Sequence, residues 1–154
     1  MYNPNRELAF KEDEILTAKK YMQYLYDLEP KANWEMYDLP HHYVLDRMVF
    51  KNGKKNHYVE IKNRSHQPDK YDTLILSDKK ILWCKIYSTM FRVPTILLVK
   101  FSDDSIHYLK INKKRQYETK FYNTKRKEGP TDNTMDHEPM AMLPINEFKR
   151  LRDD

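Results

Sequence analysis

The sequence predicts an α/β fold with a mixed sheet. Three observations lead to it. An apolar stripe of helical period opens the chain. Two runs that are apolar on both faces follow, joined by Asn52-Gly53, a strong hairpin signal. A second helical period then leads through Val93-Pro94 into a short buried-strand run. Helix, strands, helix, strands is the order of an α/β domain.

Asn3-Pro4 starts the first helix, with Asn as N-cap and Pro in the first helical position. Leu8, Ile15, Ala18, Met22 and Leu25 form its stripe to about residue 26, with Glu14 at the edge, and Pro30 ends it. Residues 34–37 suit a short strand. Residues 42–50 and 57–64 read as strands apolar on both faces, hence central in the sheet. Residues 65–69 are loop-like and 73–76 short and extended. Ser77 is placed to cap a helix over 78–91 whose face is Leu82, Trp83, Ile86, Tyr87 and Met90. Residues 93–101 form a buried strand, and Asp103-Asp104 turns the chain into 105–111. Beyond Ile111, strands are expected over 117–122 and 140–145, around a loop at 129–134, with a short helix from Asn146. The expected layout is a core over residues 1–111 and a basic, β-rich, hairpin-like extension over 112–154 packed on the same domain.

Composition narrows the chemistry. With 154 residues one domain is expected. Two glycines cannot build a Walker loop or a GxGxxG turn. One cysteine, Cys84, excludes a disulfide framework and a CxxC zinc site, and fits a reducing compartment. The six histidines show no zinc-ligand spacing, and Cys84 reads as core. The longest apolar run is too short to span a bilayer, and the polar first ten residues lack a signal-peptide core, so a cytoplasmic protein without membrane contact is expected. Net charge is +5, unevenly spread. Residues 110–127 hold eight basic side chains and one acid, interleaved with Tyr117, Phe121 and Tyr122. That pattern suits nucleic-acid phosphates and base stacking, or else a solvated hairpin face. Lys113, Lys114, Arg115, Lys125, Arg126 and Lys127 are its candidate phosphate contacts. Arg64, at a strand end, and Lys79 and Lys80, which oppose the helix dipole, are further candidates.

Asp46, Glu60 and Lys62 stand out as charges within apolar strands, where an unpaired charge costs several kcal/mol, on the order of 2–7 even for a neutral polar group. Two carboxylates and a backbone carbonyl can hold Mg²⁺, which prefers hard oxygen ligands and keeps several waters. Lys62, two residues along from Glu60, shares its face. Register decides whether Asp46 joins them. A two-residue turn pairs positions summing to 105, which places Asp46 opposite Val59. A sum of 106 places Asp46 opposite Glu60, so a metal site requires an odd loop or a bulge. The alternative is three surface charges on a hairpin.

The run Tyr43-Val44-Leu45-Asp46 and the run His57-Tyr58-Val59-Glu60-Ile61-Lys62-Asn63-Arg64 resemble the core motif of the PD-(D/E)XK, restriction-endonuclease-like, nuclease superfamily. The helix opening Ser77-Asp78-Lys79-Lys80 and the two strands after it are similar as well. The resemblance implies an αβββαβ core with a mixed central sheet. It implies catalytic roles for Asp46, Glu60 and Lys62, metal ligation by Asp46, Glu60 and the Ile61 carbonyl, and a possible helix acid, Glu14. It further implies Mg²⁺, with Mn²⁺ as substitute, and endonuclease action on DNA rather than RNA, branched or phage and host DNA included. A homodimer is compatible with it. Asp136-His137-Glu138-Pro139-Met140 and Leu143-Pro144-Ile145 resemble small bacteriophage members, whose setting would be the host cytoplasm. No proline precedes Asp46 and no glutamine lies on the helix after Lys62, which leaves substrate positioning unassigned. The rival readings are a non-catalytic nucleic-acid-binding module, an RNA-directed nuclease, and a phage interaction or inhibitor protein on the same fold.

Overall fold

The computed structural model describes residues 4–124 and 136–152. Helix α1 (Pro4–Leu28) leads into β1 (Trp34–Asp38), β2 (Arg47–Lys51) and β3 (Lys54–Asn63). Then come β4 (Thr73–Ser77), α2 (Asp78–Phe91), β5 (Thr95–Lys100) and β6 (Ile106–Ile111). The hairpin of β7 (Glu118–Thr124) and β8 (Asp136–Pro144) follows, then a 3-10 turn (Ile145–Glu147) and β9 (Lys149–Arg150).

The main sheet has the order β1-β2-β3-β5-β6-β9. Its pairs are antiparallel except β3 with β5, which is parallel because α2 carries the chain back across the sheet. This is the αβββαβ core of a restriction-endonuclease-like fold, with a mixed sheet and β2 and β3 inside it. Strand β4 leaves that sheet and pairs with β8 in a second sheet, β4-β8-β7. The residues after Ile111 therefore extend both sheets: β7 and β8 build the second, and β9 covers the outer edge of β6. The expected terminal helix is a single 3-10 turn before β9.

One core lies between the main sheet and α1, where Ala18, Tyr21 and Leu25 meet Val59, Ile61 and Leu98. A second lies on the other face, where Ile81 and Cys84 of α2 meet Leu97, Val99, Leu74 and Leu143. Complete burial of each large aliphatic chain stabilises by about 1.5–3 kcal/mol.

Both helix faces match the expected stripes in part: Ala18 and Leu25 are buried, and Met22 and Tyr87 pack against the two cores. In α1, Thr17 and Tyr21 are buried, whereas Ile15 is exposed. In α2, Ile81 and Cys84 are buried, whereas Leu82 and Met90 face solvent. In each case polar side chains, Thr17 and Lys80, occupy part of the inward face and rotate it away from the purely apolar stripe. Ser77 stands at the N-cap of α2, but its hydroxyl makes no cap bond; it donates to Glu138 of β8. The strand expected over 42–50 starts only at Arg47, because Pro40 opens a turn closed by Tyr43 N–H to its carbonyl at 2.9 Å. The loop expected at 129–134 lies outside the described residues.

Candidate active site

The β2–β3 hairpin sets the geometry. Asn52 and Gly53 both adopt positive φ, 51° and 76°, as a tight two-residue hairpin turn demands. Next to the turn Lys51 pairs with Lys54, so positions sum to 105. A bulge then intervenes: Phe50 faces Lys55 and Val49 faces His57, leaving Asn56 extra. Beyond it Arg47 pairs with Val59, and the sum is 106. Extended by one residue, this register sets Asp46 opposite Glu60, on the face that Lys62 shares.

Asp46 lies just before β2 and is fixed twice. Its carbonyl accepts the Leu39 N–H at 2.9 Å, continuing the β1–β2 register. Its Oδ2 accepts the Ile61 N–H at 2.9 Å. A strand residue turns its N–H and C=O to the same side, so the Ile61 carbonyl faces this edge as well.

Glu60 is 1% exposed. Lys80 Nζ stands 2.7 Å from its Oε1, and Lys62 Nζ 3.3 Å from the same oxygen. These are ion pairs whose angles fall short of good hydrogen bonds, and Oε2 accepts no hydrogen bond from the described residues. Burial raises the Glu60 pKa, Asp46 raises it further, and Lys62 and Lys80 act the other way. Glu14 on α1 faces the same group of charges. Its pKa is also raised, first by burial and then by Asp46, while Arg47 and Lys62 oppose the shift.

A buried carboxylate with an unsatisfied oxygen fits a hard cation. Among the described residues no cluster of three or more His, Cys, Asp or Glu is grouped to hold a metal. The candidate protein donors are thus the Asp46 and Glu60 carboxylates with the Ile61 carbonyl. That small all-oxygen set suits Mg²⁺, which keeps much of its water.

The proposed phosphate contacts scatter. Lys79 is exposed on the first turn of α2. Lys80, read from sequence as a phosphate contact, is turned inward to Glu60 and also donates to the Val44 carbonyl. Arg64 is half-buried, and its guanidinium donates to the Ile75 carbonyl at 2.8 Å, tying the end of β3 to β4. Lys113 and Lys114 are exposed, and Lys113 lines a shallow cleft with Arg92 and Lys110. Arg115 is paired with Glu147 at 2.8 Å and lies over the Tyr117 ring. Lys125, Arg126 and Lys127 lie outside the described residues. Sequence reasoning missed the Lys80–Glu60 pair. The signal for it was Lys80 standing four residues before Cys84, on the stripe that includes the buried thiol.

A family model described as "Phage putative PDDEXK endonuclease" matches residues 17–151. No curated protein matches the chain. Among solved structures, the chain is similar to Hjc, a Holliday junction resolvase from the archaeal hyperthermophile Archaeoglobus fulgidus. Identity is 14%, the TM-score is 0.41, and the match covers 84% of this chain and 97% of that one.

Proposed function

The chain belongs to the family of phage putative PDDEXK endonucleases, and from that premise we propose that it is a Mg²⁺-dependent endonuclease that hydrolyses DNA phosphodiester bonds. The observation that carries the metal site is Glu60: a carboxylate 1% exposed, with an unsatisfied oxygen, set opposite Asp46 by a bulge. A fold gains little by burying such a group for stability alone.

In this reading Asp46 and Glu60 hold the ion, with the Ile61 carbonyl as third protein oxygen and Mn²⁺ as a substitute. When bound, the cation neutralises phosphate charge and lowers the pKa of a bound water. Lys62 is the catalytic ammonium, on the face shared by both carboxylates, where it orients a water or takes up charge on a phosphate oxygen. Asp46 is held by the Ile61 N–H, so the carboxylate needs no reorganisation before it acts. Glu14 supplies further negative charge from α1.

The test is incubation with linear, nicked, branched and single-stranded DNA, and with RNA, in Mg²⁺ or in EDTA. Cleavage of DNA that EDTA abolishes is expected. Cleavage confined to RNA would redirect the substrate. Binding without cleavage of any substrate would replace the enzyme by a binding module.

A further inference from the structure

Lys80 lies in the first turn of α2, where the helix dipole disfavours a cation. Its neighbour Lys79 extends into solvent. Lys80 instead turns inward, and its ammonium meets the Val44 carbonyl and comes within 2.7 Å of Glu60 Oε1. The Val44 contact ties it to the segment that carries Asp46. Lys62 approaches the same Glu60 oxygen from the strand at 3.3 Å. Two ammonium groups therefore converge on one oxygen of a buried carboxylate, where a single point charge would serve. The Lys80 pair is the shorter, and Lys80 comes from a different element than the motif that supplies Asp46, Glu60 and Lys62.

We infer that Lys80 is a positioning residue, the resident counter-ion of Glu60, displaced from that carboxylate when a divalent cation takes the site. The inference rests on the metal-site reading above. In the metal-free protein the Lys80 ammonium holds the Glu60 side chain in place and compensates its charge. A divalent ion bonded to Glu60 repels an ammonium a few ångströms away, because two like charges at that distance are poorly screened in a buried site. Lys80 then leaves Oε1, and its long stem lets it swing toward the open side of the site. There a phosphate oxygen of a substrate is the natural next partner for it.

The test uses the wild-type protein and Mg²⁺ alone, with no nucleic acid. Amine reactivity at Lys80 is read by reductive methylation and peptide mass spectrometry, with exposed Lys79 as internal reference. Lys80 should be poorly reactive without metal and several-fold more reactive at saturating Mg²⁺, while Lys79 stays constant. Glu60→Gln should make Lys80 reactive without metal and insensitive to Mg²⁺. Thermal unfolding of the wild type in the same Mg²⁺ titration separates the two levels of the argument. Mg²⁺ that stabilises the protein but leaves Lys80 reactivity unchanged overturns the inference and spares the metal site. Mg²⁺ that changes neither overturns the metal site together with the inference.

Discussion

Glu60 and Lys62 share a face and one salt bridge, yet their proposed roles separate under mutation. Glu60→Ala removes a metal donor, so the stabilisation by Mg²⁺ should vanish. In the wild type that stabilisation should reach roughly 2.7 kcal/mol at a hundredfold excess over Kd. Lys62→Ala keeps both carboxylates, so stabilisation by Mg²⁺ should survive while cleavage falls by roughly 10²–10⁴-fold. Thermal melts with and without Mg²⁺, alongside a single-turnover cleavage assay, check both variants. A Lys62→Ala protein that still cleaves at the wild-type rate would remove Lys62 from the chemistry. A second residue controls acid stability. His57 is buried against α1, where it shares a hydrogen bond with the Tyr21 hydroxyl at 2.8 Å and meets Asn56 Oδ1 at 2.6 Å. Burial lowers its pKa from 6.5 to about 4. The folded protein therefore binds fewer protons than the unfolded chain between those values. The stability His57 contributes is complete above about pH 6.5 and is lost as pH falls toward 4, by about 3 kcal/mol across that window. Glu60 and Glu14, whose pKa values are raised, act in the opposite sense, because their stabilising share is lost as pH rises. Urea unfolding at pH 7.5, 5.5 and 4.5 should accordingly show a flatter profile for His57→Gln than for the wild type.

Among the elements, the β2–β3 hairpin has most consequence for the site. The turn was legible, since Asn-Gly between two apolar runs has few other conformations. The alternation of side chains also placed Glu60 and Lys62 on one face. The bulge at Asn56 was not legible as a position, because a bulge leaves the composition of a strand unchanged; only the condition that a metal site requires an odd loop or a bulge could be derived. Deleting Asn56 tests the hairpin. The deletion removes the extra residue and leaves Val49 opposite His57, so Asp46 still faces Glu60 in a continuous two-residue hairpin. That variant should lose less than about 2 kcal/mol in denaturant unfolding and keep its response to Mg²⁺. Deleting Lys55 as well moves β3 by one residue, and every buried residue beyond the turn would have to exchange faces. The double deletion should therefore cost more than about 4 kcal/mol, and any folded fraction should lose its response to Mg²⁺. The helices were legible as elements and their faces in part, since Ala18 and Leu25 are buried as the stripe predicts. The inward faces also include Thr17 in α1 and Lys80 in α2, which hydrophobic periodicity assigns outward. The miss at Lys80 thus falls on a residue that brings charge to the site. The departure of β4 into a second sheet was hidden too, since its partner β8 lies more than sixty residues later in the chain.

For the molecule as a whole, the excess of positive charge, +5, is what a polyanionic substrate would meet first, and the described basic residues are not equivalent. Lys110, Lys113 and Lys114 are exposed, and the first two line the cleft that also holds Arg92. Arg115 is nearby in sequence but already committed to Glu147 and to the Tyr117 ring. Binding of a duplex releases one counterion for roughly each phosphate neutralised, with a slope near −0.9 per contact. Replacing Lys110, Lys113 and Lys114 with Gln should thus reduce the slope of log K against log salt by roughly 2–3 units on duplex DNA. Arg115→Gln should change that slope by less than about one unit, because its charge is balanced within the protein before any phosphate arrives. It should instead loosen the tie to the 3-10 turn only slightly, because the pair is solvent-screened. The loss in the triple variant should be the same for unrelated sequences, since phosphate contacts position a protein without reading bases. Fluorescence anisotropy with catalytically silent Lys62→Ala as the background, over a range of salt, gives the slopes. An unchanged slope in the triple variant would show that these lysines serve solubility, and a full-unit drop for Arg115→Gln would show that its pairing with Glu147 yields to the substrate.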